Sequence, residues 1–143
     1  MQSPSPDSKV PGLVRVVIEV QWGDMDALGH VNNTRFFAWF ESARIAFFRR
    51  LGVATSGPTE VGPILATTTC DFLRPVVFPA TVAVSVRVSR IGETSLRMEY
   101  EVRDADDEST VYARGSSVVV LIDYRSMQKV PVPDALRAAI AAL

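Results

Sequence analysis

The chain changes from a strand pattern to a helix pattern within its first third. Every second position is apolar in the first stretch: Val14, Val16, Ile18 and Val20. This period of two is typical of a β-strand with one buried face. Between about residues 33 and 51 the apolar residues instead follow one another at steps of three and four: Phe36, Phe40, Ala43, Phe47 and Leu51. That spacing predicts a long helix with a broad apolar face.

The chain after residue 63 is almost entirely strand-like. We predict strands at about residues 64–73, 82–88, 95–103 and 110–123, followed by a short Ala-rich helix over 133–143. The connections between the last three strands are short, so these neighbours must be antiparallel. A long apolar helix is buried most economically when a curved sheet wraps round it. The sequence therefore predicts an α+β fold, with an antiparallel sheet of about five strands round one central helix.

The chain has 143 residues, the length of one ordinary domain. Residues 1–11 are rich in Pro and Ser and contain almost nothing to bury, so we expect a flexible tail and a single domain over 12–143. The formal net charge is −1 and the Arg residues are scattered, so no nucleic-acid surface is expected. The sequence contains neither a membrane-spanning apolar run nor a signal peptide, so we expect no membrane partner and a cytoplasmic location.

The chain contains one Cys and one His, Cys70 and His30. These two cannot build an ordinary zinc site, and the sequence has no phosphate loop, dinucleotide fingerprint or nucleophile elbow. We therefore expect neither a metal nor a cofactor. Cys70 cannot form an internal disulfide, and its strand-like neighbours favour an inert buried thiol.

The densest polar cluster in the chain lies between the first strand and the long helix, over residues 21–33. It contains two acids, two Gly, a His and two Asn, and it ends at the positive end of the helix dipole. Free N–H groups there can bind a carboxylate or a developing oxyanion. The same residues also suit a purely local role, in which Asn32 or Asn33 caps the helix, Gly29 supplies a positive φ and an Asp forms an Asx-turn. The spacing alone leaves both interpretations open.

Residues 24–33 carry the motif DxDxxGHVNN, which is followed on the predicted helix by Phe36, Phe40, Glu41, Ala43 and Arg44. This pattern resembles the signature of the 4-hydroxybenzoyl-CoA thioesterase and YbgC-like branch of the hotdog superfamily. The order of elements is also similar, over roughly residues 12–130. The resemblance implies a hotdog fold and a thioesterase that hydrolyses an acyl- or aryl-CoA, or an acyl-carrier-protein thioester.

The resemblance also implies roles for individual residues of the loop. Asp26 matches the catalytic carboxylate, which either attacks the thioester carbonyl or activates a water. The thioester oxygen is expected at the start of the helix, polarised by a backbone N–H near Asn33. His30 is a further catalytic candidate, with a hydrogen-bonded structural role as the alternative. Asp24 should face elsewhere and be structural.

The substrate-binding residues implied by the resemblance form two groups, and core packing or plain turn chemistry is the alternative for each. Those expected to line the acyl pocket are Trp22, Leu28, Phe36 and Phe37. Those expected near the nucleotide of coenzyme A, at a turn between two strands, are Arg90, Thr94 and Ser95.

Glu41 and Arg44 are polar residues at or within the apolar face of the predicted helix. They are three positions apart, so they can form a structural ion pair. A different branch of the hotdog superfamily places its catalytic carboxylate on the helix. Glu41 is therefore the reserve catalytic candidate.

Two other functions stay open beside the thioesterase. The first is a non-catalytic hotdog module that binds acyl-CoA, and the second is a hydratase or dehydratase, whose His and acid motif matches poorly here. An open sheet edge favours a homodimer, and members of the family commonly form tetramers with the site between two protomers. The sequence does not decide the acyl group, the thiol carrier, the mode of attack or the choice between dimer and tetramer.

Overall fold

The computed structural model describes residues 11–53 and 60–143. The predicted tail therefore lies outside the described residues, except for Pro11. Within the described ranges, the chain forms a curved antiparallel sheet with one long helix against it, followed by a short helix at the end. No helix in these ranges is long and apolar enough to cross a membrane.

The elements follow the predicted order closely. They are β1 (Val14–Glu19), a 3-10 turn (Trp22–Asp24), α1 (Asn33–Arg50), β2 (Val61–Phe72), β3 (Thr81–Ile91), β4 (Ser95–Asp104), β5 (Val111–Asp123), β6 (Gln128–Lys129) and α2 (Asp134–Ala141). The sheet order is β1-β3-β4-β5-β2, with β6 paired to β5. This is the predicted α+β hotdog fold. The two-residue β6 was not predicted, because a strand of two polar residues has no hydrophobic period.

The predicted face of α1 is buried against the inner side of the sheet. Its fully or nearly buried residues are Phe36, Phe40, Ala43, Phe47 and Phe48, and Trp39, which lies outside the predicted face, is buried as well. They share one hydrophobic core with the inward residues of β4, which alternate with a polar outer face: Leu96, Met98, Tyr100 and Val102. Burying these large side chains together supplies the main driving force for folding.

The expected ion pair between Glu41 and Arg44 is not formed. Glu41 is exposed, whereas the half-buried Arg44 donates a hydrogen bond from Nη1 to the hydroxyl of Tyr100 at 3.1 Å. That hydroxyl also shares a hydrogen bond of 2.5 Å with the fully buried Ser117. A buried phenol and a buried hydroxyl need partners of this kind, so Arg44 completes an interior polar network instead of an ion pair with Glu41.

The loop before α1 and the turn between β3 and β4 lie at opposite ends of the sheet. The Val20 N–H donates to Ala80 and the Val31 N–H donates to Val76, so the loop before α1 lies at the end of the sheet where β2 ends and β3 begins. The turn between β3 and β4 lies at the other end. Because β4 has ten residues, the two ends are about 30 Å apart.

One edge of the sheet is long and open. The outer edge of β2, twelve residues long, pairs with no strand in the described part of the chain. Several apolar side chains on this strand or just beyond it are exposed: Val61, Ile64, Leu65, Phe72 and Leu73. An open edge of this length and composition is a pairing surface.

Candidate active site

The loop that contains Asp26 is a tight hairpin-like turn. Met25 and Val31 form an isolated antiparallel bridge, and the Asp26 N–H donates to the His30 carbonyl at 3.0 Å. The turn closes when the Gly29 N–H donates to the Asp26 carbonyl at 3.0 Å. Gly29 has a φ of 84°, a left-handed conformation that favours glycine. The positive φ predicted for Gly29 is confirmed.

The Asp26 carboxylate is exposed and held through both oxygens. Oδ1 accepts a hydrogen bond from the Leu28 N–H at 2.9 Å, which is the predicted Asx-turn. Oδ2 accepts from the side-chain amide of Asn32 at 3.2 Å. Asp26 is thus tied to the residue immediately before α1 and still faces solvent.

Asp24 has a different and more buried environment. Its Oδ2 accepts from the Gln21 N–H at 2.8 Å, and its Oδ1 lies 3.5 Å from Nε of Arg35 in the first turn of α1. Its side chain is only 15% exposed. These contacts fasten the 3-10 turn to the helix, as expected for a structural acid.

The first turn of α1 leaves one backbone donor free. Asn32 is the N-cap, and its side-chain oxygen accepts from the Thr34 N–H at 2.9 Å. The Arg35 N–H donates to the Asn32 carbonyl at 3.0 Å. The Asn33 N–H has no acceptor among the described residues, as is usual at the start of a helix. It is therefore available to an oxygen atom of a ligand.

A groove of about 290 Å³ opens beside this donor. Its lining residues come from the loop, the first turn of α1 and the segment after β2: His30, Val31, Asn33, Phe36, Phe72, Leu73, Arg74, Pro75 and Val76. The rings of Phe36 and Phe72 meet edge to face with centroids 5.2 Å apart. The groove is therefore mostly apolar, with His30, Asn33 and Arg74 as its polar members.

The structure brings some of the candidate residues together in this groove. His30, Asn33 and Phe36 line it. Asp26 is not among the lining residues, but its carboxylate is hydrogen-bonded to Asn32, the residue directly before Asn33. Phe37 does not line the groove and is half-buried, with its ring 6.0 Å from that of the core residue Phe40 and 6.3 Å from that of Phe72.

Other candidates lie away from the groove within one chain. Trp22 and Leu28 are 73% and 84% exposed and are not among the lining residues. Glu41 is exposed further along α1 and does not line the groove either.

The candidates expected near the nucleotide of coenzyme A lie at the turn between β3 and β4, at the far end of the sheet from Asp26: Arg90, Thr94 and Ser95. A single chain cannot bring this turn and Asp26 together.

Sequence reasoning missed the wall formed by residues 72–76. Phe72 lies almost forty positions after the loop, and no local spacing connects the two segments. The signal that could have found this wall is the sequence Phe72-Leu73-Arg74-Pro75, in which a proline ends a predicted strand directly after an arginine. The place of that strand end beside α1 depends on how the elements pack together, so local sequence patterns do not predict it.

Cys70 and possible metal ligands add no second site in the described ranges. Burial, reinforced by the neighbouring Asp71 carboxylate, raises the pKa of the Cys70 thiol to about 11. A thiol with that pKa is protonated and unreactive at neutral pH. The described residues contain no group of three or more His, Cys, Asp or Glu side chains that could hold a metal ion.

The chain resembles known proteins over most of its length. Residues 20–140 match the family model of the thioesterase-like superfamily. The structure of the PA2801 protein from Pseudomonas aeruginosa, a candidate thioesterase, has 40% sequence identity and a TM-score of 0.83, over 89% of this chain and 97% of that one.

Two further relatives are more distant. The structure of BH1999, a gentisyl-coenzyme A thioesterase, has 25% identity and a TM-score of 0.79, over 90% of this chain and all of that one (100%). The YsmA protein of Bacillus subtilis (strain 168) is 27% identical over 117 residues, which are 82% of this chain and 78% of that protein. Because the family model spans nearly the whole described fold, the chain belongs to the thioesterase-like superfamily and is a hotdog-fold thioester hydrolase.

Proposed function

We propose that the protein hydrolyses acyl- or aryl-CoA thioesters in the groove at the start of α1, with Asp26 as the reacting carboxylate. The observation that carries the proposal is the arrangement of two groups at one helix end. Asp26 is hydrogen-bonded to Asn32, and the next residue, Asn33, has a free N–H beside the groove. A nucleophile or base next to an oxyanion donor is the arrangement that acyl transfer requires.

The chemistry follows from these two groups. The thioester oxygen accepts a hydrogen bond from the Asn33 N–H, and the dipole of α1 stabilises the negative charge that develops on it. Asp26 then attacks the carbonyl carbon, or it removes a proton from a water that attacks. In either route the C–S bond breaks and the CoA thiolate leaves. Water supplies the oxygen of the carboxylic acid product, directly or by hydrolysing an Asp26 anhydride.

The walls of the groove favour an apolar acyl group. Phe36 and Phe72 form an aromatic corner, and Leu73 and Val76 extend the apolar surface. An aryl ring suits such a corner through edge-to-face contacts, and a short alkyl chain suits it through burial. Gentisyl-CoA, the substrate in the name of BH1999, is an aryl thioester of this kind. His30 lies at the same groove and is proposed to contact the substrate.

The candidate residues at the β3–β4 turn can reach a site at the Asp26 loop only from a second copy of the chain. We propose a homodimer in which two β2 edges pair antiparallel, because that edge is open and exposes Ile64 and Leu65. Antiparallel pairing places the β3–β4 turn of one copy on the same side as the Asp26 loop of the other. The turn residues Arg90, Thr94 and Ser95 then lie where the phosphates of bound CoA can meet a cation and hydroxyls.

We further propose that the substrate carrier is coenzyme A and that the protein acts in the cytoplasm. Arg90 and the hydroxyls of the β3–β4 turn suit the phosphates of the CoA nucleotide, whereas the arm of an acyl-carrier protein has no nucleotide and carries a single phosphate. The single free Cys70 suits a reducing compartment.

Thiol release from a panel of short-chain, long-chain and aromatic acyl-CoAs tests the proposal. Wild type should release thiol from at least one class, and Asp26→Ala should not. Calorimetry with the same acyl-CoA should show that Asp26→Ala still binds. If wild type binds acyl-CoA but releases no thiol from any member, the protein is a binding module or uses an acyl-carrier protein. Repeating the assay with acyl-carrier-protein thioesters separates these two.

A further inference from the structure

The carboxamide of Asn32 connects Asp26 to the start of α1. Its nitrogen donates to Oδ2 of Asp26 at 3.2 Å, and its oxygen caps the helix by accepting from the Thr34 N–H at 2.9 Å. The same planar carboxamide therefore holds Asp26 through its nitrogen and caps α1 through its oxygen. Asn32 is not among the residues that line the groove.

The direction in which the Asn32 carboxamide faces is fixed by Thr34. Both the backbone N–H and the hydroxyl of Thr34 donate to Oδ1 of Asn32, the hydroxyl at 2.7 Å. A backbone N–H can only donate, so the carboxamide oxygen must face the helix. The NH2 group is left to face Asp26, where it meets an acceptor. A chain of donors thus runs from Thr34 through Asn32 to Asp26.

We infer that Asn32 is a positioning residue for thioester hydrolysis, an inference that rests on the proposed role of Asp26. The Leu28 N–H alone holds one carboxylate oxygen and leaves the other free to turn. The Asn32 amide holds the second oxygen and so fixes the carboxylate plane relative to the free N–H of Asn33. Attack on a carbonyl depends strongly on this relative placement, because reaction needs the reacting atoms aligned.

Two substitutions separate positioning from helix capping. Ser is as good an N-cap as Asn, so Asn32→Ser keeps an acceptor for the Thr34 N–H and removes the donor to Asp26. Asn32→Ala removes both. We expect kcat to fall about 10-fold to 100-fold in both variants with KM little changed, because a small misplacement of a catalytic group costs this much. Only Asn32→Ala should also lower the melting temperature.

A third substitution gives a readout that a structural role would not move. Asn32→Asp keeps the cap acceptor and places a second carboxylate beside Asp26. Like charges disfavour ionisation, so the acid limb of the kcat/KM profile should move to higher pH. The other titratable groups of this loop are Asp24, which is paired with Arg35, and His30. They are unchanged in this variant and serve as a constant background.

Thr34 supplies the matched pair of variants. Thr34→Val removes the hydroxyl that donates to Asn32, and Thr34→Ser keeps it. We expect a loss of kcat in Thr34→Val that is smaller than in Asn32→Ser, since the Thr34 N–H still orients the carboxamide. Thr34→Ser, which keeps the hydroxyl, should have the kcat of wild type.

The outcomes separate a failure of the positioning role of Asn32 from a failure of the proposed catalytic role of Asp26. If Asp26→Asn keeps wild-type turnover, the role of Asp26 fails and the inference fails with it. If Asp26→Asn is inactive but Asn32→Ser has the kcat and pH profile of wild type, only the positioning role is overturned. Loss of kcat in Asn32→Ser at an unchanged melting temperature supports it.

Discussion

Phe40 of α1 lies directly over Gly115 of β5, so closely that a Cβ at position 115 would overlap the Phe40 ring and the Thr69 carbonyl. The same ring stacks on Tyr100, with centroids 4.5 Å apart and planes 15° from parallel. Gly115 is needed here for space. The contact sets the height of α1 above the sheet, and therefore the position of its first turn beside the end of β2.

Gly115→Ala should destabilise the fold. The added methyl group must push Phe40 away from β5, and overpacking of this kind typically costs about 1–3 kcal/mol. Urea unfolding followed by tryptophan fluorescence measures the loss. Gly23→Ala is the matched control, because a Cβ at Gly23 meets nothing within 4 Å. Equal stability of Gly115→Ala and wild type would mean that α1 is not held as closely as described.

Gly29→Ala should distort the Asp26 loop without a steric clash. A Cβ at Gly29 has open space, but the φ of 84° is unfavourable for alanine by about 1–2 kcal/mol. We expect lower kcat together with a modest loss of stability. Gly29→Asn should be milder on both measures, because Asn tolerates the left-handed region better. Full activity in Gly29→Ala would show that the turn does not hold Asp26 in its working position.

The Cys70 thiol should react slowly with alkylating reagents. Its pKa of about 11 leaves roughly one thiol in a thousand ionised at pH 8, and only the thiolate attacks. The alkylation rate should therefore rise tenfold for each pH unit up to about pH 10. Mass spectrometry of iodoacetamide-treated protein follows this rate. Cys70 is half-buried rather than fully buried. Fast labelling at pH 7 would contradict the raised pKa, and Cys70→Ala should keep full thioesterase activity.

The open edge of β2 should control assembly. Leu65→Lys places a charge on an exposed apolar position of that edge, so it should shift the protein from dimer to monomer in sedimentation experiments. Val17→Lys is the control, since Val17 is 58% exposed on β1, the opposite edge of the sheet. A monomeric Val17→Lys beside a dimeric Leu65→Lys would assign the interface to β1 instead. Loss of activity in monomeric Leu65→Lys would fit a site shared between copies.

The sequence predicted those features that depend on local patterns. The steps between Phe36, Phe40 and Phe47 identified the helix and its buried face. Period-two alternation identified β1, β3 and β4, whereas β2 and β5 were recognised as strand-like apolar segments without a regular alternation. The loop chemistry was also local, because the Gly29 turn and the Asn32 cap each involve neighbours only a few positions apart.

Features that depend on distant segments could not be predicted in the same way. The helical spacing offered Glu41 as a partner for Arg44 at the apolar face, but the residue that Arg44 contacts, Tyr100, is 56 positions away on β4. Phe72 and Arg74 reach the groove only because β2 ends beside α1. Periodicity shows which face of an element is buried, whereas these contacts depend on which elements pack together.

The most direct test of the account compares kcat/KM of Asp26→Asn and Glu41→Gln with that of wild type on the best acyl-CoA substrate. Asp26→Asn keeps the size of the side chain and removes the carboxylate that attacks or accepts a proton. We predict that it loses roughly 100-fold to 10,000-fold in kcat/KM, whereas Glu41→Gln, which alters an exposed residue away from the groove, stays close to wild type. Full turnover by Asp26→Asn together with loss of activity in Glu41→Gln would contradict the account and move the catalytic carboxylate to α1.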